Sequence, residues 1–108
     1  HLNQYGSLFG GVVLRVVDEL AFIACTRTYP GCNFLTRAVL DAEFNAPAYL
    51  GDTLEFDFGI EHLGKTSVQV RVEMLIYDGR GGKGIPSFDG TVVMVCVDDE
   101  GRPMRVRG

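Results

Sequence analysis

The chain has 108 residues, of which 46% are hydrophobic and 22% are charged, and its formal net charge is −4. A chain of this length can bury enough surface to form one domain, which we expect to span residues 1–108. The composition excludes the disordered and fibrous classes of protein. The acidic balance gives no broad attraction for nucleic acid or for an anionic membrane surface, so neither partner is expected.

The three cysteines show no Cys-x-x-Cys spacing and cannot all pair within one chain. Together with the lack of a signal-peptide pattern, this predicts buried, reduced thiols in a cytoplasmic protein. The two histidines, His1 and His62, lie far apart in sequence. The chain therefore predicts no metal site, and no cofactor is expected.

The first part of the chain predicts a loop and then one helix. Residues 1–11 are rich in glycine and polar side chains, which is typical of a loop that leads into a helix start near Gly10 and Gly11. Residues 12–28 are apolar on nearly every face, which predicts a helix enclosed by other structure. The run is too short and too charged to cross a membrane, and residues 29–31 end it.

The rest of the chain alternates with a period of two, which predicts strands. Residues 34–44 form the first predicted strand. Residues 54–61 and 68–77 form a long antiparallel hairpin around a glycine-containing turn. Residues 78–90 are rich in glycine and are predicted to be a loop, and residues 91–97 form the last strand.

One buried helix followed by four antiparallel strands predicts an α+β fold in which the sheet curls around the helix. Long exposed edge strands are a liability, so we expect pairing with a second copy of the chain. The chain begins at His1 without a methionine, and we expect an element before it to be missing.

Asp18 needs an explanation, because an ionised carboxylate is costly to place among the hydrocarbon side chains of this helix. One interpretation puts it on a solvated face, paired with Arg15 three residues earlier. The other gives it a chemical task.

The segment NQYGSLFGGVVLRVVDELAFIA resembles the signature of hotdog-fold acyl-CoA thioesterases. The matching residues are Asn3, Gly6, the pair Gly10 and Gly11, and Asp18. The later segments VLDAEFNAPAYLGDTLEF, GKTSVQVRVEM and GTVVMVCVDDEGRP resemble the strands of that family. The resemblance implies a hotdog fold, in which a curved antiparallel sheet wraps around one long central helix. It also implies that the missing element is the family's first strand.

The resemblance implies a site that hydrolyses a thioester. Asp18 is the candidate base or nucleophile, and Gly10 is the candidate oxyanion donor, because a helix N-terminus presents unpaired N–H groups. Gly11 would let the substrate come close. Asn3 matches an amide that helps to place substrate or water. Ser7 stands where one branch of the family carries a catalytic Asp or Asn, which leaves Asp18 as the main candidate.

Gly10 and Asp18 are eight residues apart, about 12 Å along a helix, so one thioester carbonyl cannot touch both. Two antiparallel helices in a dimer would bring Gly10 of one subunit to Asp18 of the other. The resemblance implies the same composite arrangement in a homodimer. The sequence leaves open a tetramer or hexamer built from such dimers.

A second group of residues is a candidate for binding the coenzyme A phosphates. Lys65, Thr66 and Ser67 resemble the family's basic and hydroxyl residues at the start of a strand, although a solvated hairpin tip is an equal interpretation. The tail arginines are weaker candidates for the same contact: Arg102, Arg105 and Arg107.

The sequence therefore predicts an acyl-CoA thioesterase that binds an acyl-CoA substrate. A non-catalytic acyl-CoA binding or sensing module on the same fold is the alternative. It is motivated by Ser7, which stands in place of an Asp or Asn, and by Ala21 and Phe22, which offer no hydroxyl one turn after Asp18. A hotdog hydratase ranks last, since the two histidines do not lie near the site.

Overall fold

The computed structural model describes residues 4–77, 79 and 82–107, with side chains from Phe9 onward. One helix, α1 (Gln4–Thr28), precedes four strands: β1 (Asn33–Phe44), β2 (Thr53–Leu63), β3 (Ser67–Tyr77) and β4 (Ile85–Val97). The strands form one antiparallel sheet in the order β1-β4-β3-β2. The predicted α+β fold, with an antiparallel sheet against one long helix, is confirmed.

A stripe of small apolar residues at intervals of four fixes the face of α1 that meets the sheet. Val13, Val17, Ala21 and Cys25 are at most 1% exposed. Residues four apart lie on one face of a helix, so the stripe packs as a unit against the sheet. The helix-facing side chains of β3 and β4 complete this core: Val68, Val70, Val72, Met74, Val92, Met94 and Cys96.

The predicted helix start near Gly10 and Gly11 is wrong, because α1 begins at Gln4. Phe9 packs against the core one turn before Val13, so it extends the buried stripe toward the N-terminus. Tertiary contact therefore outweighs the roughly 1 kcal/mol that each glycine costs inside a helix. Gly10 is the seventh residue of α1 rather than its first.

In a single chain, the prediction that other structure encloses the helix holds on one face only. The sheet covers one face of α1, and the outer apolar residues Val12, Leu14, Phe22 and Ile23 remain 38–50% exposed. A single layer of four strands cannot surround a helix, so these side chains stay partly open to solvent in one chain.

The first half of β4 was wrongly predicted to be a loop. Residues 85–90 pair with β3 from Ile76–Ile85 to Val72–Gly90, and with β1 through Phe44–Phe88. The Phe88 ring is buried, with its centroid 5.0 Å from that of Phe44. Pairing on both sides therefore overrides the loop signals of Pro86 and Gly90, and Pro86 lies beside an irregularity in the β3–β4 register.

The other predicted strands are confirmed to within two residues at each boundary. At the hairpin between β2 and β3, the Gly64 N–H donates to the Ser67 carbonyl over 2.8 Å. The tail closes this end of the sheet, because the Met104 N–H donates to the Cys96 carbonyl and the Val106 N–H donates to the Lys65 carbonyl.

The predicted burial of the thiols is confirmed: Cys25, Cys32 and Cys96 are buried and form no disulfide. No group of three or more His, Cys, Asp or Glu side chains within the described ranges is arranged to hold a metal ion. In the same part of the chain, no helix has the length and apolar character needed to cross a membrane.

Candidate active site

Asp18 lies on the flank of α1 that borders β1, directly after the buried Val17. It is half-buried, and the Thr36 hydroxyl donates a hydrogen bond to its Oδ1 atom. Within the described part of the chain, Oδ2 accepts no hydrogen bond. One carboxylate oxygen is therefore fixed, and the other can accept a proton from a bound molecule.

Thr36 is brought to Asp18 by the register of the sheet. It pairs with Met94 of β4, and its hydroxyl lies 3.4 Å from the Met94 sulfur. An irregularity in β1 follows immediately, between Thr36 and Ala38. Because the irregularity comes after Thr36, Thr36 keeps the regular alternation of the strand from Phe34 and faces the helix.

Sequence reasoning did not identify Thr36, because it lies 18 residues from Asp18 and belongs to no local motif. One signal was available. Phe34 and Thr36 lie on the same face of β1 by the two-residue period, and Phe34 belongs to the core. A hydroxyl two residues from a core phenylalanine faces the helix and marks a polar contact there.

The solvated ion-pair interpretation of Asp18 is not what the structure shows. The Arg15 side chain lies 4.0 Å from Glu19, with both side chains largely exposed. The Asp18 carboxylate instead turns toward β1 and Thr36. The exposed Arg15–Glu19 pair is of the kind that stabilises a helix by a few tenths of a kcal/mol.

A cavity of about 490 Å³ opens beside Asp18, between α1 and β1. Its polar lining consists of Asp18, Glu19 and Thr36. The remaining lining side chains are apolar: Phe22, Ile23, Phe34, Leu35 and Met94. A carboxylate at the edge of an apolar cavity is the arrangement expected where an apolar group is bound next to a reacting centre.

The prediction that Gly10 lies at a helix N-terminus is wrong. As the seventh residue of α1, its N–H lies beyond the four unpaired donors that begin a helix. A Cβ atom added at Gly10 would lie 3.7 Å from the Phe44 ring, whereas one added at Gly11 would meet no atom of the described residues within 4 Å. Gly10 therefore packs beside β1, about 12 Å along the helix from Asp18.

Two other predicted site residues cannot be placed. Asn3 lies outside the described residues, and Ser7 lies in the first turns of α1, where side chains are not described. Their roles stay predictions.

The predicted phosphate-binding residues do not reach this cavity in one chain. Lys65 and Thr66 form the turn before β3, and Ser67 begins that strand. The strand β4 separates β3 from β1, on which Thr36 lies. Of the tail arginines, Arg102 pairs with Asp98 and Glu100, while Arg105 and Arg107 are exposed.

Burial raises the pKa of two thiols at the other end of α1. The pKa of Cys25 is raised from 9.0 to about 11, first by burial and then by the neighbouring Cys32. The pKa of Cys96 is raised to the same value by burial and by a hydrogen bond with Cys32. Both groups are therefore neutral thiols near pH 7 and are poor nucleophiles.

Comparison with known proteins identifies the family of this site. The sequence profile described as "Thioesterase superfamily" matches residues 5–83 of the chain, a range that includes Asp18 and Thr36. The chain belongs to the thioesterase superfamily. The activity that the resemblance implied is the one for which relatives of this chain are named.

The relatives of this thioesterase-superfamily chain include proteins named for coenzyme A thioesters. The acetyl-coenzyme A thioesterase of Rattus norvegicus is 29% identical over 103 residues, which cover 93% of this chain and 18% of that protein. An acyl-CoA hydrolase from Staphylococcus aureus, solved with butyryl coenzyme A and coenzyme A, has a TM-score of 0.82 and 28% identity. The match covers 98% of this chain and 64% of that one.

A third relative is a solved apo-hexameric acyl-CoA thioesterase, with a TM-score of 0.83 and 30% identity. The match covers 96% of this chain and 66% of that one. The chain therefore spans less than two thirds of each of these three relatives.

Proposed function

We propose that this chain is the catalytic domain of an acyl-CoA thioesterase, with Asp18 as its reacting carboxylate. The observation that carries the proposal is the half-buried Asp18, held by Thr36 at the edge of an apolar cavity. Membership in the thioesterase superfamily and the names of the relatives support the same chemistry.

In the proposed reaction, Asp18 Oδ2 accepts a proton from a water molecule, and the water oxygen forms a bond to the thioester carbonyl carbon. The carbon–sulfur bond then breaks. The proton passes from Asp18 to the leaving thiolate, and the products are a free acid and coenzyme A. In direct attack, an Asp18 oxygen would instead bond to the carbonyl carbon, the carbon–sulfur bond would break, and the thiolate would leave behind an anhydride. Water would then open the anhydride to the free acid and the Asp18 carboxylate, and the proton released would go to the thiolate.

The oxyanion of this reaction needs a donor, and Gly10 fits that role only after a rearrangement. Its N–H becomes free only if the turns of α1 before it unwind, because a helical amide at this position is already paired. Asn3 and Ser7 precede this point, so they remain proposed contributors of an amide and a hydroxyl group.

We also propose that the working unit is a dimer or a larger assembly of dimers. The exposed apolar residues on the outer face of α1 support this, as does the open edge of β1 beside the cavity. In such a unit, Lys65, Thr66 and Ser67 of one subunit are proposed to bind the coenzyme A phosphates at the site of its mate. A cytoplasmic location stays a prediction.

Replacing Asp18 by Asn tests the function. We expect Asp18→Asn to lower kcat by about a hundredfold or more, because an amide cannot accept the proton of the attacking water. The measurement is release of free coenzyme A thiol from an acyl-CoA panel, followed with a thiol reagent. The matched control is Asp57→Asn on β2, which removes an exposed carboxylate away from the cavity and should leave kcat unchanged.

An Asp18→Asn variant with the wild-type rate removes Asp18 from the mechanism. A wild-type protein that binds acyl-CoA tightly without releasing thiol contradicts the proposed thioesterase activity. That result favours the acyl-CoA sensing module instead.

A further inference from the structure

The side chains that line the cavity beside Asp18 indicate which acyl groups the site accepts. Its lining combines one hydroxyl, two carboxylates and five apolar side chains. With the thioester carbonyl at Asp18, as proposed, the five apolar side chains offer the acyl group an apolar surface beside it.

Phe22 occupies the space that an acyl chain would enter. It lies four residues after Asp18, one helical turn of about 5.4 Å further along α1, on the same side of the helix. Its ring is 46% exposed and lines the cavity, so it is not held in the core of this chain. An acyl chain that runs along α1 from Asp18 meets this ring within one turn.

Among the described residues, the charged side chains that line the cavity are Asp18 and Glu19, and both are negative. No Lys or Arg of that part of the chain lines it. Arg15 lies 4.0 Å from Glu19, but the side chains are 83% and 67% exposed, so this solvated pair offsets the Glu19 charge only weakly. An acyl group that carries its own carboxylate would therefore be repelled.

We propose that the site selects uncharged aliphatic acyl groups, and that Phe22 sets the upper length of the chain while Glu19 rejects acyl groups that carry a carboxylate. This inference rests on the proposed thioesterase function. It assigns specificity to two residues that take no part in the proton transfer.

The length selection is tested by changing the size of residue 22 in both directions. The measurement is kcat/KM for acetyl-, butyryl-, hexanoyl- and decanoyl-CoA. We expect Phe22→Ala to raise the decanoyl-to-butyryl ratio of kcat/KM by about tenfold or more, because one methylene in an apolar pocket already changes discrimination by about tenfold. Phe22→Trp should lower the same ratio.

Phe58→Ala is the matched control. Phe58 is similarly exposed, but it lines a separate groove between α1 and β2. Its replacement should leave the ratio unchanged. If the ratio is the same in wild type and in both Phe22 variants, Phe22 does not set the length.

The charge selection is tested with succinyl-CoA, whose acyl group ends in a carboxylate. Wild type should prefer butyryl- over succinyl-CoA, and Glu19→Gln should weaken that preference by several-fold at low salt and less at high salt. Equal hydrolysis of both substrates by wild type overturns the charge selection.

The failures of the two proposals are distinguishable. A wild-type protein that hydrolyses none of these thioesters overturns the thioesterase function itself. A wild-type protein that hydrolyses them with unchanged selectivity in the Phe22 and Glu19 variants overturns only the specificity assignment.

Discussion

The Thr36 hydroxyl holds the Asp18 carboxylate from the neighbouring strand, and this single contact gives the site its geometry. A carboxylate on a helix flank has several rotamers available, and a fixed donor on one oxygen selects among them. Thr36 is a positioning residue in this scheme, since it acts on the reacting group rather than on the substrate.

Thr36→Val should lower kcat by about tenfold while KM changes little, because the carboxylate loses its orientation but the cavity keeps its shape. Thr36→Ser keeps the hydroxyl and should restore most of the rate. In the Asp18→Asn background, Thr36→Val should have almost no further effect.

Thr53→Val on β2 is the control, since Thr53 is also an exposed strand threonine but does not line the cavity. A loss of kcat in Thr36→Val that Ser does not restore would indicate a packing role instead.

At the scale of elements, the parts of the fold that the sequence predicts are those with a clean local period. The β2–β3 hairpin was predicted to within two residues because its alternation is regular and its turn contains Gly64. The start of α1 and the first half of β4 were missed, since Gly10 and Pro86 are local breakers. Their structure depends on contacts with distant residues such as Phe44 and Ile76.

The same distinction applies to the site. Asp18 was predicted because its charge conflicts with the apolar helix around it, and the resemblance gave it a role. The two-residue period from Phe34 indicates that Thr36 faces the helix, but its contact with Asp18 depends on the β1–β4 register, which spacing alone does not give. Gly10 was misplaced because its predicted role assumed that the helix starts near Gly10. The helix starts at Gln4 instead, and the contact of Phe9 with the core supports this earlier start.

An exposed residue on the edge strand β1 leads to a prediction about assembly. Val39 pairs with Val92, so it lies on the helix-facing side of the sheet, and it is 38% exposed. A charge that points inward from an edge strand prevents pairing with another edge. Val39→Lys should therefore shift the proposed dimer to monomer and lower the thioesterase rate with it.

The measurement is light scattering during size-exclusion chromatography. Leu63→Lys, at the end of the opposite edge strand β2 and 50% exposed, is the control and should leave the assembly intact. A wild-type monomer that hydrolyses acyl-CoA at full rate contradicts the shared site.

At the scale of the whole molecule, three buried thiols lie together at one end of the core. Cys25 comes from α1 and Cys96 from β4, with Cys32 between them in the connection that leads into β1. The tail covers this end, since the Cys32 thiol donates to the Arg107 carbonyl over 3.5 Å. Ionising either raised thiol places a charge in an apolar environment, so the protonation state of this cluster is coupled to folding.

The free energy of unfolding should therefore fall as the pH rises from about 9 to about 11. The pKa of Cys25 and that of Cys96 are about 11 in the folded chain and 9.0 when unperturbed. Between these values the unfolded state binds fewer protons than the folded state, so stability decreases with pH. Below pH 9 the thiols are protonated in both states and do not make stability depend on pH.

Urea denaturation under reducing conditions at pH 7 to 11 measures this free energy of unfolding. A Cys25→Ala, Cys96→Ala double variant separates the effect of the thiols from tyrosine and lysine titration. The stability difference between wild type and the double variant should be constant up to pH 9 and should decrease above it, whereas a difference that stays constant to pH 11 would show that burial does not hold these thiols neutral.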